Sequence, residues 1–158
     1  MSQDTLNLIH DRQNRGYTKQ SWLDSYHTFS CGGFFDPKQM GFRTLRAINE
    51  DRAVPGSGLS THSYHDMEIL TYVLESAIEH QDSLGNRTVI YSGEAEMSGA
   101  GAGITHREFN SSEFNPAHFL QSLDDSRSRT IIPRNEQRNF PLEKRVYLTF
   151  RPSAIAIL

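Results

Sequence analysis

The feature that most narrows the fold of this chain is a succession of short strand-type runs cut by turn signals. Ile69-Leu-Thr-Tyr-Val-Leu74-Glu75 is rich in β-branched and aromatic residues and is bounded by polar ones. Ala77 to Asp82 reads as a second strand, Gly85-Asn86 as a turn and Arg87 to Tyr91 as the strand leaving it, which predicts a hairpin. Tyr26 to Cys31 is a further strand, broken by Gly32-Gly33. Gly41 to Asn49 alternates like a half-buried strand, and Pro55-Gly56 marks a turn. Ser92-Gly93-Glu94 reads as a turn leading to the glycine-dense segment Gly99 to Gly103. Phe119-Leu120-Gln121 opens like a strand, whereas Asp124 to Arg129 reads as a solvated loop. Val146 to Phe150 is a last strand before the apolar stretch Ala154 to Leu158. Strands at this spacing predict an all-β sandwich or barrel.

The bulk properties restrict the function classes. A chain of 158 residues amounts to one domain with a real core. With 36% hydrophobic and 22% charged residues it has a globular composition. A net charge of -3 argues against direct contact with nucleic acid. The single cysteine, Cys31, leaves no disulfide within the chain and no cysteine-based zinc cluster. No apolar run approaches the roughly 20 residues of a membrane helix. Met1 to Thr5 lacks the basic-then-apolar layout of a signal peptide. The expectation is a cytoplasmic protein with no membrane contact.

Chemistry concentrates between Gly56 and Asn110. His62 and Tyr64 are two residues apart, as are His106 and Glu108. Residues i and i+2 of a strand share a face, so two such strands can aim four ligand-type side chains at one point. Imidazole and carboxylate suit iron, and also copper, nickel or manganese; His and carboxylate ligands with open positions are typical of non-haem iron oxygenases. A short His-x-Glu pair is weak alone, and the glycines at Gly56 and Gly103 strengthen it by permitting tight turns beside the ligands. His65 competes for a place in the set, but strand alternation turns it to solvent unless a bulge re-aims it. Glu68 is either a partner of the ligands or a rim charge. His27 reads as a structural histidine, and His80 and His118 as surface or structural ones. Phe29, Phe34, Phe35 and Phe42 read as core, and Arg127 and Arg129 as a solvated loop.

The ordered set Asp24-Ser-Tyr-His27-Thr-Phe-Ser30, Asp36-Pro37, Leu45-Arg46-Ala-Ile-Asn49, Thr61-His62, Asp66-Met67-Glu68-Ile-Leu-Thr-Tyr-Val-Leu-Glu75, Glu79-His80-Gln81-Asp82-Ser83, Gly103-Ile-Thr-His106-Arg-Glu108 and Pro133-Arg134-Asn-Glu136-Gln137 resembles the pirin family of the cupin superfamily. The resemblance runs over about residues 7 to 140. It implies a single cupin β-barrel of jelly-roll type, equivalent to the N-terminal half of a bicupin. Residues 1–140 would form that domain, and 141–158 a remnant of the linker or the start of a second cupin. It also implies a metal, usually iron, held by three histidines and a glutamate. Carried over by position, the ligands are His62, Tyr64, His106 and Glu108, with Glu108 also the catalytic base. The activity implied is that of a quercetin 2,3-dioxygenase acting on a small aromatic enol such as a flavonol. The alternatives are a non-catalytic, metal-binding or redox-responsive regulatory protein, as the animal homologue is, or a degenerate paralogue without metal.

The chain departs from the family pattern in four places. Tyr64 stands where the family has its second histidine, so Tyr64 itself, His65 or no residue supplies that ligand. Ser76 replaces the glycine after the apolar strand. Asp124 to Arg129 replaces a largely apolar strand. The second barrel is missing, which predicts a homodimer or a protein partner covering the face it would occupy.

Overall fold

The computed structural model describes residues 14–101, 103–125 and 134–140, and the backbone of 148–151 and 154–157. Strands occupy most of that length. They are β1 (Gly16–Lys19), β2 (Leu23–His27), β3 (Leu45–Ala53), β4 (Gly58–Tyr64), β5 (Met67–Glu75), β6 (Ala77–Asp82), β7 (Arg87–Tyr91), β8 (Glu94–Gly99), β9 (Ile104–Asn110), β10 (Ala117–Asp125), β11 (Arg134–Asn139), β12 (Leu148–Arg151) and β13 (Ala154–Ile157). One sheet has the order β1-β2-β3-β10-β5-β8-β11 and a second the order β4-β9-β6-β7; β12 and β13 form a separate pair. The chain changes sheet between β3 and β4, β4 and β5, β5 and β6, β7 and β8, β8 and β9, and β9 and β10. That is the jelly-roll form of the expected all-β architecture. No backbone ladder joins the two main sheets among the described residues; packing and side-chain hydrogen bonds hold them face to face. No helix among those residues is long and apolar enough to cross a membrane.

The sheet changes depend on unusual backbone. Gly56 and Gly93 adopt positive φ at two of the corners. Ser76 does the same between β5 and β6, with φ 65°. The corner needs a left-handed residue, and a Cβ there is strained.

The inward faces are layered. Ala53, Val73, Ala117 and Phe119 from the large sheet pack with Ile78 and Ile90 from the small one. Ala47, Ile69 and Leu123 form a second apolar cluster, against which Cys31, Tyr64 and Met67 rest. Val73, Ile78 and Ile90 are fully buried, each contributing about 1.5–3 kcal/mol of burial. Between the clusters lies a polar stratum. On β5 it is Thr71, between Ile69 and Val73; on β10 it is Gln121, between Phe119 and Leu123; on β3 it is Asn49 and Asp51, between Ala47 and Ala53.

Several boundaries differ from expectation. The strand expected at Tyr26 to Cys31 lies at Leu23–His27, and Cys31 instead bridges to Phe34 across a tight turn. The strand expected at Gly41 to Asn49 runs from Leu45 to Ala53, because pairing with both β2 and β10 carries it past Asn49. Between the turn expected at Ser92 to Glu94 and the glycine-dense segment from Gly99 lies a strand not read from the sequence, Glu94–Gly99, paired on both edges. Asp124 and Asp125 close β10 instead of opening a loop, and residues 126–129 lie outside the described residues. Phe35 and Phe42, expected in the core, are 72% and 62% exposed, because they sit in the Gly- and Pro-rich connection that leaves the sheet. The hairpin β6–β7 forms as expected.

Candidate functional site

The site is built on β9, the second strand of the small sheet. Alternation turns Ile104, His106, Glu108 and Asn110 inward, and all four are buried. On one side β4 places His62 directly opposite His106 and Tyr64 opposite Ile104. The register slips between Leu59 and His62, so the irregularity in β4 lies ahead of the histidine. On the other side β6 places His80 opposite Glu108 and Asp82 opposite His106.

These pairings line up three imidazoles. Nε2 of His106 is 2.9 Å from Nε2 of His62, and Nδ1 of His106 is 3.3 Å from Nε2 of His80. Tyr64 lies edge-on to both His62 and His106, with ring centroids 5.0 and 5.1 Å away. Nδ1 of His62 is 2.8 Å from the Ser60 carbonyl, which only accepts, so that nitrogen carries the hydrogen. Nδ1 of His80 bonds the Glu96 carboxylate, which also only accepts when ionised. With His80 neutral, its Nε2 accepts from Nδ1–H of His106. The Nε2 atoms of His62 and His106 then both present lone pairs across 2.9 Å. Two facing acceptors repel, and one positive species, a proton or a metal ion, closes the contact. Two ring nitrogens each about 2.1 Å from one metal ion and at right angles stand about 3 Å apart, so the spacing fits a metal ion.

Glu108 is held differently. One carboxylate oxygen accepts from the Thr71 hydroxyl at 3.1 Å, the other from the Gln121 amide at 2.7 Å. Both donors come from the facing sheet. Among the described residues no three His, Cys, Asp or Glu side chains are gathered closely enough to hold a metal ion. The structure thus brings His62, Tyr64 and His106 together and leaves Glu108 on the same face but tied across the barrel.

The electrostatics follow from burial. Burial and the neighbouring imidazoles of His62 and His80 push His106 down to about 3, so its ring is neutral in ordinary buffers. Burial lowers His80 too, but the bond to Glu96 and the surrounding carboxylates outweigh it and leave it above the usual histidine value. Burial raises Glu108 above the usual carboxylate range despite the bonds from Gln121 and Thr71. Burial, with the Glu108 charge adding to it, lifts the Tyr64 hydroxyl well above the usual phenol range, so Tyr64 stands there as a neutral phenol. Asp51, raised by burial to about 6, lines with Glu108, Trp22 and Phe119 a small cavity between the sheets.

The remaining candidates lie elsewhere. His65 is exposed, its ring over Gly103, where an added Cβ would collide with it. Glu68 pairs with Arg134 at 2.8 Å and is a rim charge. His27 is a structural histidine between Thr18 and Asn49, and His118 bonds Glu50. His80, read as surface or structural, is buried beside His106. Sequence reasoning missed Glu96, Thr71 and Gln121. The last two had a visible signal, each being the polar member of an otherwise apolar inward series.

Comparison with known proteins bears on this arrangement. The family model described as Pirin matches residues 9–122, which carry the whole cluster. The chain belongs to the pirin family. A protein of Escherichia coli K12 named quercetin 2,3-dioxygenase is 45% identical over 140 residues, covering 89% of this chain and 61% of that protein. The E. coli pirin YhhW, solved in complex with nickel(II), superposes with a TM-score of 0.79 at 46% identity, over 82% of this chain and 56% of that one. A quercetin 2,3-dioxygenase from Acinetobacter baumannii, 20% identical with a TM-score of 0.60 over 77% of this chain and 44% of that one, shares the fold. This pirin chain spans about three fifths of the length of the E. coli relatives it matches. Its all-β jelly roll is the cupin fold, as the resemblance implied.

Proposed function

We propose that the chain binds a divalent metal between His62 and His106 and serves quercetin 2,3-dioxygenase chemistry on a flavonol-type enol. The observation that carries this is the pair of facing Nε2 atoms 2.9 Å apart, in a chain whose relative is named for that activity. Iron is the first candidate on family grounds; nickel, copper and manganese suit the same donors. His62 and His106 would hold the ion, with Glu108 and Tyr64 as the further oxygen donors of the set. Bound there, the metal supplies Lewis acidity and a path for electrons between the substrate and dioxygen.

The chain's own residues supply the rest. Glu108 is the base for the enol hydroxyl, since its raised pKa brings it toward the working pH. Taking that proton requires one of its oxygens to leave Thr71 or Gln121, and Gln121 steadies the other. The apolar clusters above and below the polar stratum keep water from the carboxylate. Aerobic incubation of iron- or nickel-loaded protein with quercetin tests the reading. Loss of the flavonol with release of carbon monoxide supports it; intact flavonol alongside full metal loading rejects the enzymatic part.

One observation favours a second reading, a metal-responsive binding protein without turnover. Tyr64 replaces an imidazole with a phenol held neutral by burial, which leaves one strong donor fewer. Tight metal binding without quercetin consumption is the result that would select it.

A further inference from the structure

We propose that Glu96 and His80 act as a positioning pair for His106 and thereby set the affinity of the chain for its metal ion. The inference rests on the metal-binding reading above. A neutral imidazole has one hydrogen, so a metal on Nε2 of His106 requires that hydrogen on Nδ1. The acceptor facing Nδ1 is Nε2 of His80, at 3.3 Å. That nitrogen can accept only while His80 is neutral and its one hydrogen stays on Nδ1, and the Glu96 carboxylate bonds that hydrogen there. Glu96 is itself held by the hydroxyls of Thr88 and Ser98. The His80 and Glu96 side chains are each 2% exposed, so water offers no substitute partner.

The pair also spans the fold. His80 belongs to β6 in the small sheet and Glu96 to β8 in the large one. The ring of His106 is thus registered against both sheets, perpendicular to His80 at a centroid distance of 5.0 Å. His62 has no such support; its Nδ1 is turned by the Ser60 carbonyl in the irregular part of β4. Losing an outer partner of a metal-binding histidine typically weakens the metal about 10–100-fold.

The test is a calorimetric titration of the full chain with nickel(II), joined to long-range proton–nitrogen NMR of the zinc-loaded protein. Glu96→Ala is expected to weaken nickel about 10–100-fold, while Glu96→Gln, which keeps an oxygen acceptor for His80, recovers most of that loss. His80→Phe should weaken it comparably and abolish the slowly exchanging Nδ1 proton of His106 seen in the parent. Parent-like affinity in folded Glu96→Ala and His80→Phe would overturn the proposal. Should neither variant fold, a parent spectrum in which the His106 Nδ1 proton exchanges freely would overturn it alone. If the parent binds neither metal, the metal-binding reading fails first and this inference falls with it.

Discussion

His106 and Glu108 are two residues apart on one face of one strand, yet they occupy opposite chemical situations. His106 stands in a row of imidazoles supplied by β4 and β6, on its own sheet. Its ring is neutral; with His80 neutral as well, its hydrogen is directed at His80 and its Nε2 lone pair faces that of His62. Glu108 is bonded by Thr71 and Gln121 from the facing sheet, and its charge adds to the burial that raises Asp51. In the proposed reading one end of the face takes a cation; the other already has donors and bears the cost of burying a carboxyl group. The contrast teaches that a shared face brings donors near one another, while the opposing sheet decides which of them are free.

Substitutions at the two ends should separate accordingly. His106→Ala should have the largest effect, weakening nickel or iron more than about 100-fold, beyond the loss of an outer partner. An undiminished metal stoichiometry would place the site elsewhere. At the other end, burial holds Asp51 at about 6 in the folded protein against its ordinary 3.8. The folded state therefore binds more protons between those values, and stability falls as pH rises through that window. Asp51→Asn keeps an acceptor for Ser25 and removes that fall, which should stabilise the protein at pH 7 by about 2–3 kcal/mol. Denaturant unfolding from pH 4 to 7 measures it, and a parent whose stability rises with pH across that range would contradict the assignment.

Tyr64→His would sharpen the cation end by adding an imidazole where a neutral phenol stands, tightening nickel about tenfold or more. Equal affinity in the two proteins would mean that Tyr64 already serves. The smallest effect belongs to the corner that joins the sheets. Ser76→Gly relieves a left-handed residue at the entropic cost of a glycine, for a net gain of about 0.5–1 kcal/mol. A loss of stability in chemical unfolding would show that the corner is not strained.

Much of this was legible in the sequence, within limits set by locality. Alternation along one strand is a local property, so the β6–β7 hairpin, the pairing of His106 with Glu108 on one face and the outward turn of His65 could be read directly. Contacts between strands are not local. His80 and Glu96 lie on separate sheets and meet only because the chain crosses the barrel between β7 and β8. Thr71 and Gln121 sat in view as polar breaks in apolar series, but only the facing sheet shows that both address Glu108. Phe35 and Phe42 were misread because aromatic character was weighed without the Gly and Pro residues that carry their segment out of the sheet.

The central claim is that the gap between two imidazoles is a metal position. Diffraction from crystals of the purified protein, collected at the absorption edge of whichever metal elemental analysis finds, addresses it directly. The account predicts about one ion per chain with its anomalous peak within bonding distance of Nε2 of both His62 and His106. A peak distant from both rings, or metal-free protein that stays so after loading, would contradict it.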